Sequence, residues 1–259
     1  MFSRFNLVLK SYRIFSSSVL FSLKERYSGS VLGILWLFLI PVLFTSVYSS
    51  VYAMYLGGNE NKLISVISVL CGLLPFLAFA ESVGQGTSSV VNSSSLLKNT
   101  LFPVELAPLR DVTVAHISML PALLMLLAAG VYQSGDFNFY FLLIFPIYFM
   151  QLIFVVGVVY ILATLNVFIR DVSKVMPIFL LFMMLITPIG MDLEDVPENY
   201  RIVFSSNPLT FFVELYRKVM MGGEVQVLSL LTIFALSVVT FTIGFFIISK
   251  LRAVFVDYV

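Results

Sequence analysis

The sequence predicts an all-α integral membrane protein. It has six transmembrane helices, an N-terminal amphipathic interfacial helix, and an outer re-entrant helical segment before the last span. Three observations carry this. Of the 259 residues, 60% are hydrophobic and 11% charged, against roughly 25% charged in a soluble domain, so lipid must cover part of the surface. No charged residue occurs from Tyr27 to Asn59, well beyond the roughly 20 residues that cross a bilayer. Further charge-poor runs follow, separated by polar or charged turns.

The elements follow in order. From Phe5 to Leu23, the residues Phe5, Val8, Leu9, Tyr12, Phe15, Val19 and Leu23 recur at three- and four-residue steps. Asn6, Lys10, Arg13 and Ser17 fall on the other side. An apolar face opposite a basic, polar one is the pattern of a helix lying on a membrane. Two readings stay open: an anchor for the N-terminus, or a gate that contacts substrate. The basic region before the first apolar run is too long for a signal peptide, so the N-terminus is expected to be retained.

The spans are expected at Leu32 to Leu56, Leu63 to Phe79, Val112 to Tyr132, Phe139 to Leu165, Val175 to Met191 and Gln226 to Ser249. Between them lie a turn at Gly57 to Lys62, a polar loop at Ser82 to Arg110, a short turn at Gln133 to Asn138 and a tight charged loop at Asn166 to Lys174. A longer outer segment follows at Asp192 to Val225, and a short tail at Lys250 to Val259. Pro41, Pro75, Pro121, Pro146 and Pro177 fall within spans, where neighbouring helices can re-satisfy the freed carbonyls. The whole chain, 1–259, reads as one transmembrane domain. Within it, 1–26 is the cytosolic amphipathic part, 82–110 a cytosolic loop and 192–225 the outer segment.

Orientation follows from Lys and Arg. With the N-terminus inside, only Lys62, Arg201, Arg217 and Lys218 of the 15 fall in outer segments. That bias obeys the positive-inside rule, with both termini cytosolic. Two elements do not span. Val90, Ser94, Leu97 and Leu101 recur at helical steps with Lys98 on the polar side, and Pro103 ends the run. In NPLTFFVELYRKVMMGG, Asn207 suits an N-cap, Pro208 the first turn, and Gly222-Gly223 a stop. It is too short to span and reads as a half-inserted helix.

Several chemistries lack their residues. The single cysteine, Cys71, allows no intrachain disulfide, and the single histidine, His116, no His-pair metal site. No P-loop pattern is present, so the chain is expected not to hydrolyse ATP, and no metal or cofactor is expected in it. A net charge of +1 points to no nucleic acid. Ion-coupled carriers place carboxylates deep in the bilayer. Here Glu81 lies at the inner end of the second span, and Asp111 and Asp171 adjoin Arg110 and Arg170 at boundaries, read as paired charges. His116 is read as structural. The 26 Phe, 12 Tyr and Trp36 fit lipid packing and interfaces, and equally an aromatic passage on which sugar rings stack.

Several stretches carry a family resemblance. ERYSGSVLGILWLFLIP from Glu25 resembles the entry into the first span of the membrane subunits of ABC-2 type polysaccharide exporters, which carry O-antigen, capsule or teichoic acid chains. LLKNTLFPVELAPL (Leu96 to Leu109) is similar to that family's coupling-helix region. LNVFIRDVSKVMPIFL (Leu165 to Leu180) resembles its inner loop, and TPIGMDLEDVPENYR with NPLTFFVELYR its outer segment.

The resemblance implies a permease homodimer in a bacterial inner membrane, with two copies of a separate ATPase subunit that binds ATP and Mg. It implies that the segment holding Val90, Ser94, Leu97, Lys98 and Leu101 docks into that ATPase, and that the N-terminal helix gates the cytosolic mouth. The substrate would be a lipid-linked polysaccharide, O-antigen first, with capsule or teichoic acid as alternatives. A drug or small-lipid exporter, or an ion-coupled carrier, are rival readings.

A lipid phosphate near the inner interface would be held by cations. Arg13, Lys24, Arg26 and Arg170 are the candidates, with topological anchoring as the other reading of each. Tyr27, Trp36, Phe38, Tyr48 and Phe182 are the candidate channel-lining aromatics.

Overall fold

A computed structural model of the chain describes residues 11–55, 62–94 and 103–258. Among these residues it is all helical. α1 is Tyr12–Tyr27, and a 3₁₀ turn, Gly33–Leu35, opens α2, Trp36–Tyr55. α3 is Lys62–Gly86, α4 the short Ser89–Asn92, and α5 Leu106–Ser134. A 3₁₀ turn, Phe139–Leu143, leads into α6, Ile144–Phe168. α7 is Asp171–Leu185, α8 Glu198–Ser205, α9 Pro208–Met220 and α10 Val227–Tyr258.

Five helical stretches are long and apolar enough to cross a bilayer: Gly33–Val51, Ile64–Gly86, Leu106–Ser134, Phe139–Phe168 and Val227–Phe255. The run expected as the fifth crossing, Val175 to Met191, differs. Its helix, α7, has 15 residues, roughly 22 Å at 1.5 Å per residue, short of the roughly 30 Å hydrocarbon thickness. It starts earlier than expected, at Asp171, and unwinds at Ile186 because Pro188 and Gly190 follow.

Other boundaries shift for tertiary reasons. The second span was expected to end near Phe79, where polar residues begin, but α3 continues to Gly86 because neighbouring helices satisfy Glu81 and Ser82. The expected tail from Lys250 is the last part of α10. The outer segment holds an additional helix, α8, that its sequence did not suggest. The expected end signals of α9 are present: the Asn207 side chain accepts from the Leu209 amide at 3.0 Å, Pro208 opens the helix, and Gly222 takes φ 76° beyond it.

α6 and α10 form the closest helix pair. Small residues bring them together. A Cβ on Gly157 would run into the Thr240 and Phe241 backbone, and one on Gly244 into the Gly157 carbonyl. Close backbone approach over small residues is how helices associate where no hydrophobic drive separates them from lipid. α3, α5, α6 and α9 share the core, with Tyr160, Tyr216, Phe212 and Leu123 fully buried.

α2 and α7 stand at the edge of this body. Only 11% of the first crossing window is buried, against 67% for the second, so α2 turns most of its surface to lipid or a partner. Residues 5–10, the first six residues of the expected interfacial helix, lie outside the described residues. Along α1, Phe15, Val19 and Leu23 turn toward protein, but Ile14, Leu20 and Phe21 are exposed on the side expected to be polar. The helix thus presents apolar groups on both sides, one for protein and one for lipid.

Candidate functional site at the start of the first span

α1 ends with Lys24 and Arg26 in its last turn, where cations meet the partial negative charge of the unpaired carbonyls. The chain then reverses through Ser28 to Ser30, with Gly29 at φ 78°, a conformation that strains any residue with a side chain. α1 packs against α5, and its Arg26 side chain reaches α3. Arg26 forms an ion pair with Glu81, and its Nη1 donates to Ser118 Oγ at 3.2 Å. The Tyr27 hydroxyl donates to the same oxygen at 3.4 Å, and the Arg26 guanidinium lies 5.9 Å from the Tyr27 ring centroid. Three helices are thereby joined at one point.

The polar contacts continue inward. The Ser82 hydroxyl donates to the Ala78 carbonyl at 2.6 Å, and its oxygen lies 3.4 Å from His116 Nδ1. That nitrogen is 2.9 Å from the Val112 carbonyl. A carbonyl only accepts, so Nδ1 carries the proton. Nε2 is then an acceptor, buried with no hydrogen-bond partner among the described residues. The Tyr148 hydroxyl donates to the His116 carbonyl at 2.6 Å.

One turn along α6, Gln151 donates to the Pro75 carbonyl at 2.8 Å and accepts from the Tyr216 hydroxyl at 3.3 Å. Unsatisfied polar groups are costly in a bilayer, so these bonds fix how α3, α5, α6 and α9 sit against one another. His116 is therefore tied into the packing, as its structural reading required.

Arg26 is 30% exposed and Glu81 16%. The side chain thus keeps part of its surface accessible, while Glu81 compensates its charge. The other basic candidates differ. Arg13 Nε donates to the Tyr12 hydroxyl at 3.0 Å, and its guanidinium lies 5.8 Å from that ring centroid. Lys24 is exposed with no ion pair among the described residues. Arg13 and Lys24 are spaced by close to three full turns and so share one face of α1. Arg170 is exposed and donates to the Tyr258 carbonyl at 3.4 Å, away from this cluster.

Asp111 pairs with Arg110 at 2.7 Å as expected. Asp171 does not pair with the adjoining Arg170. It takes Lys174 at 2.9 Å, three residues on, where side chains of a helix are neighbours.

Among the candidate aromatics, Tyr27 is half-buried and bonded to Ser118. Trp36 Nε1 donates to Ser30 Oγ at 3.1 Å, closing the turn before α2. Phe38 and Phe182 are exposed, and Tyr48 is partly buried against the core. Of the expected docking residues, Val90 is fully buried and Ser94 half-buried. Leu97, Lys98 and Leu101 lie outside the described residues. Val90 faces the core, so its share in docking would be to seat the segment.

Among the described residues no three His, Cys, Asp or Glu side chains gather as a metal site. Sequence reasoning missed Ser118, which lies in an apolar run with no local signal, and the buried Arg217, discussed below.

The family described as ABC-2 type transporter matches residues 15–221. Two proteins of Klebsiella pneumoniae named O-antigen export system permease protein RfbA are 25% and 26% identical over 236 and 239 residues. Each alignment covers 91% of this chain and 90% of the relative. A Myxococcus xanthus protein of the same name is 29% identical over 200 residues, 76% of each chain.

Proposed function

Since the chain belongs to the ABC-2 type transporter family, we propose that it is the membrane-spanning permease of an ATP-driven exporter that moves a lipid-linked polysaccharide, O-antigen, across the cytoplasmic membrane of a bacterium. The observation that carries this is the likeness, over 91% of the chain, to proteins named O-antigen export permeases. The permease works as a homodimer with two copies of a separate ATPase subunit. The unburied apolar faces of α2 and α7 support pairing, since both need covering by lipid or a second copy. The segment after α4 couples the permease to the ATPase, which holds the ATP and Mg.

Both termini are cytosolic in this reading, which requires α7 and the unwound residues after it to make the fifth of the six crossings together. α9 then lies half-inserted from the outer side. The lipid phosphate is held at the inner interface by the outward edge of Arg26 with Arg13 and Lys24 on α1, and by Arg170. The glycan passes along Trp36, Phe38 and Phe182, the most open of the candidate aromatics, with Tyr27 and Tyr48 set behind them.

Deletion of this chain in its own bacterium tests the proposal. Loss of the lipopolysaccharide ladder, with lipid-linked glycan accumulating in the inner membrane, is expected. Loss of capsule or teichoic acid with an intact ladder assigns the other glycan class. Unchanged surface polysaccharides would refute export of glycan.

A further inference from the structure

Beyond Leu185 the backbone of α7 leaves the helix, yet its carbonyls remain satisfied. The Ile186 carbonyl accepts from Asn207 Nδ2 at 3.2 Å, the Pro188 carbonyl from Arg217 Nη2 at 2.9 Å, and the Gly190 carbonyl from Ser68 Oγ at 3.5 Å. The donors lie on α3, on α9 and at its N-cap, not on α7. Asn207 Nδ2 also reaches Thr187 Oγ1 at 2.8 Å. Arg217 is only 5% exposed and pairs with Asp192 at 3.1 Å, with Glu214 at 3.8 Å. On the opposite side, Gly72 of α3 leaves no room for a Cβ, which would run into the Ile189 backbone. The segment is seated from several directions.

Irregular backbone at membrane depth is tolerated only where protein satisfies it. Here the satisfaction comes from side chains of neighbouring elements, whereas α7 itself is open along Ile178, Leu181, Phe182 and Leu185. A short non-helical joint at the end of a loosely packed helix absorbs backbone rotation that the helix cannot. Asn207 has two tasks: its Oδ1 caps α9 at the Leu209 amide while its Nδ2 holds Ile186. Arg217, near the other end of α9, holds Pro188. The joint is thus tied to both ends of α9.

We propose that residues 186–190 are the pivot of α7, and that Arg217 and Asn207 are positioning residues that keep this pivot seated on α3 and α9. The inference rests on the proposed crossing of α7, but its test reads the seat alone, with or without glycan export, so the two can fail separately.

The native thiol supplies the test. Cys71, beside Gly72 on α3, is the chain's single cysteine and fully buried. In native membranes treated with N-ethylmaleimide, the unsubstituted chain is expected to label slowly at Cys71. Loss of a charge-assisted hydrogen bond favours local opening, so R217Q is expected to raise the rate about tenfold or more. R217K is expected to fall between. D192N removes only the exposed partner of Arg217 and is expected to raise the rate about two- to fivefold, with folding retained. S237A removes one hydrogen bond across the α6–α10 contact, from the Ser237 hydroxyl to the Met150 carbonyl, and is expected to leave Cys71 labelling unchanged.

Unchanged labelling in D192N and in folded Arg217 variants overturns the proposal. Equal acceleration in S237A also overturns it, since the effect would then be general loosening. If R217Q does not accumulate, D192N decides alone.

Discussion

Removing the Arg26 side chain leaves Glu81, 16% exposed, without its cation, and Ser118 without one of its two donors. Truncating one partner of a fully buried pair costs about 3–5 kcal/mol, and losing a charged hydrogen bond about 1.5–3 kcal/mol. Arg26 is 30% exposed, so water screens part of the pair and the lower range applies. A value of about 2 kcal/mol corresponds to roughly a 30-fold change in an equilibrium, here the seating of α1 on α3 and α5.

R26A, E81Q and R26A/E81Q are compared by melting temperature of the purified assembly and by glycan export in cells. R26A is expected to lower both. R26A/E81Q no longer buries an unpaired carboxylate and is expected to recover most of the stability. If Arg26 also meets the lipid phosphate, export stays at least about tenfold down in the double variant although stability returns. Full recovery of export would refute the phosphate role. Additive stability effects, with no coupling between the two positions, would refute the ion pair.

Three further outcomes are expected. Gln151→Leu strips partners from the Pro75 carbonyl and the Tyr216 hydroxyl. It should cost about 2 kcal/mol, a fall of roughly 4–8 °C in melting temperature, measurable by thermal unfolding in detergent. Gly157→Leu places a side chain where even a Cβ meets the Thr240 and Phe241 backbone; it should prevent stable accumulation in the membrane, read by immunoblot, while Gly84→Ala, whose Cβ finds ordinary contact with Leu180, should be tolerated. Phe182→Ala, at an exposed site, should leave melting temperature within about 1 °C while export of long glycans falls, read from the ladder's length distribution.

What the sequence revealed depended on whether the cause was local. The α9 ends were legible because Asn207, Pro208 and Gly222 act within one or two residues of where they stand. Apolar runs revealed the long helices because lipid selects them residue by residue. The extent of α3 was not legible, since the helix continues past Glu81 only because Arg26, from an earlier helix, and His116, from a later one, meet it.

The end of α7 was missed. The expected span ran on to Met191 although Pro188 and Gly190 favour a break, and the donors that make the break tolerable come from Ser68, Asn207 and Arg217, each remote in sequence. Arg217 read as an outer charge with apolar neighbours, and only packing shows it buried. Of the candidate site, Arg26 and Tyr27 were legible from their position at the entry to the first span. Ser118, which joins them, was not, because its role exists only across helices.

Co-purification of the tagged chain from its native membrane, with mass spectrometry of all retained protein and lipid, tests the central claim most directly. The account expects a P-loop ATPase in one-to-one ratio with this chain, together with a lipid-linked glycan. Recovery of the chain without any ATPase across several detergents, with transport driven by a proton or sodium gradient instead, would contradict it.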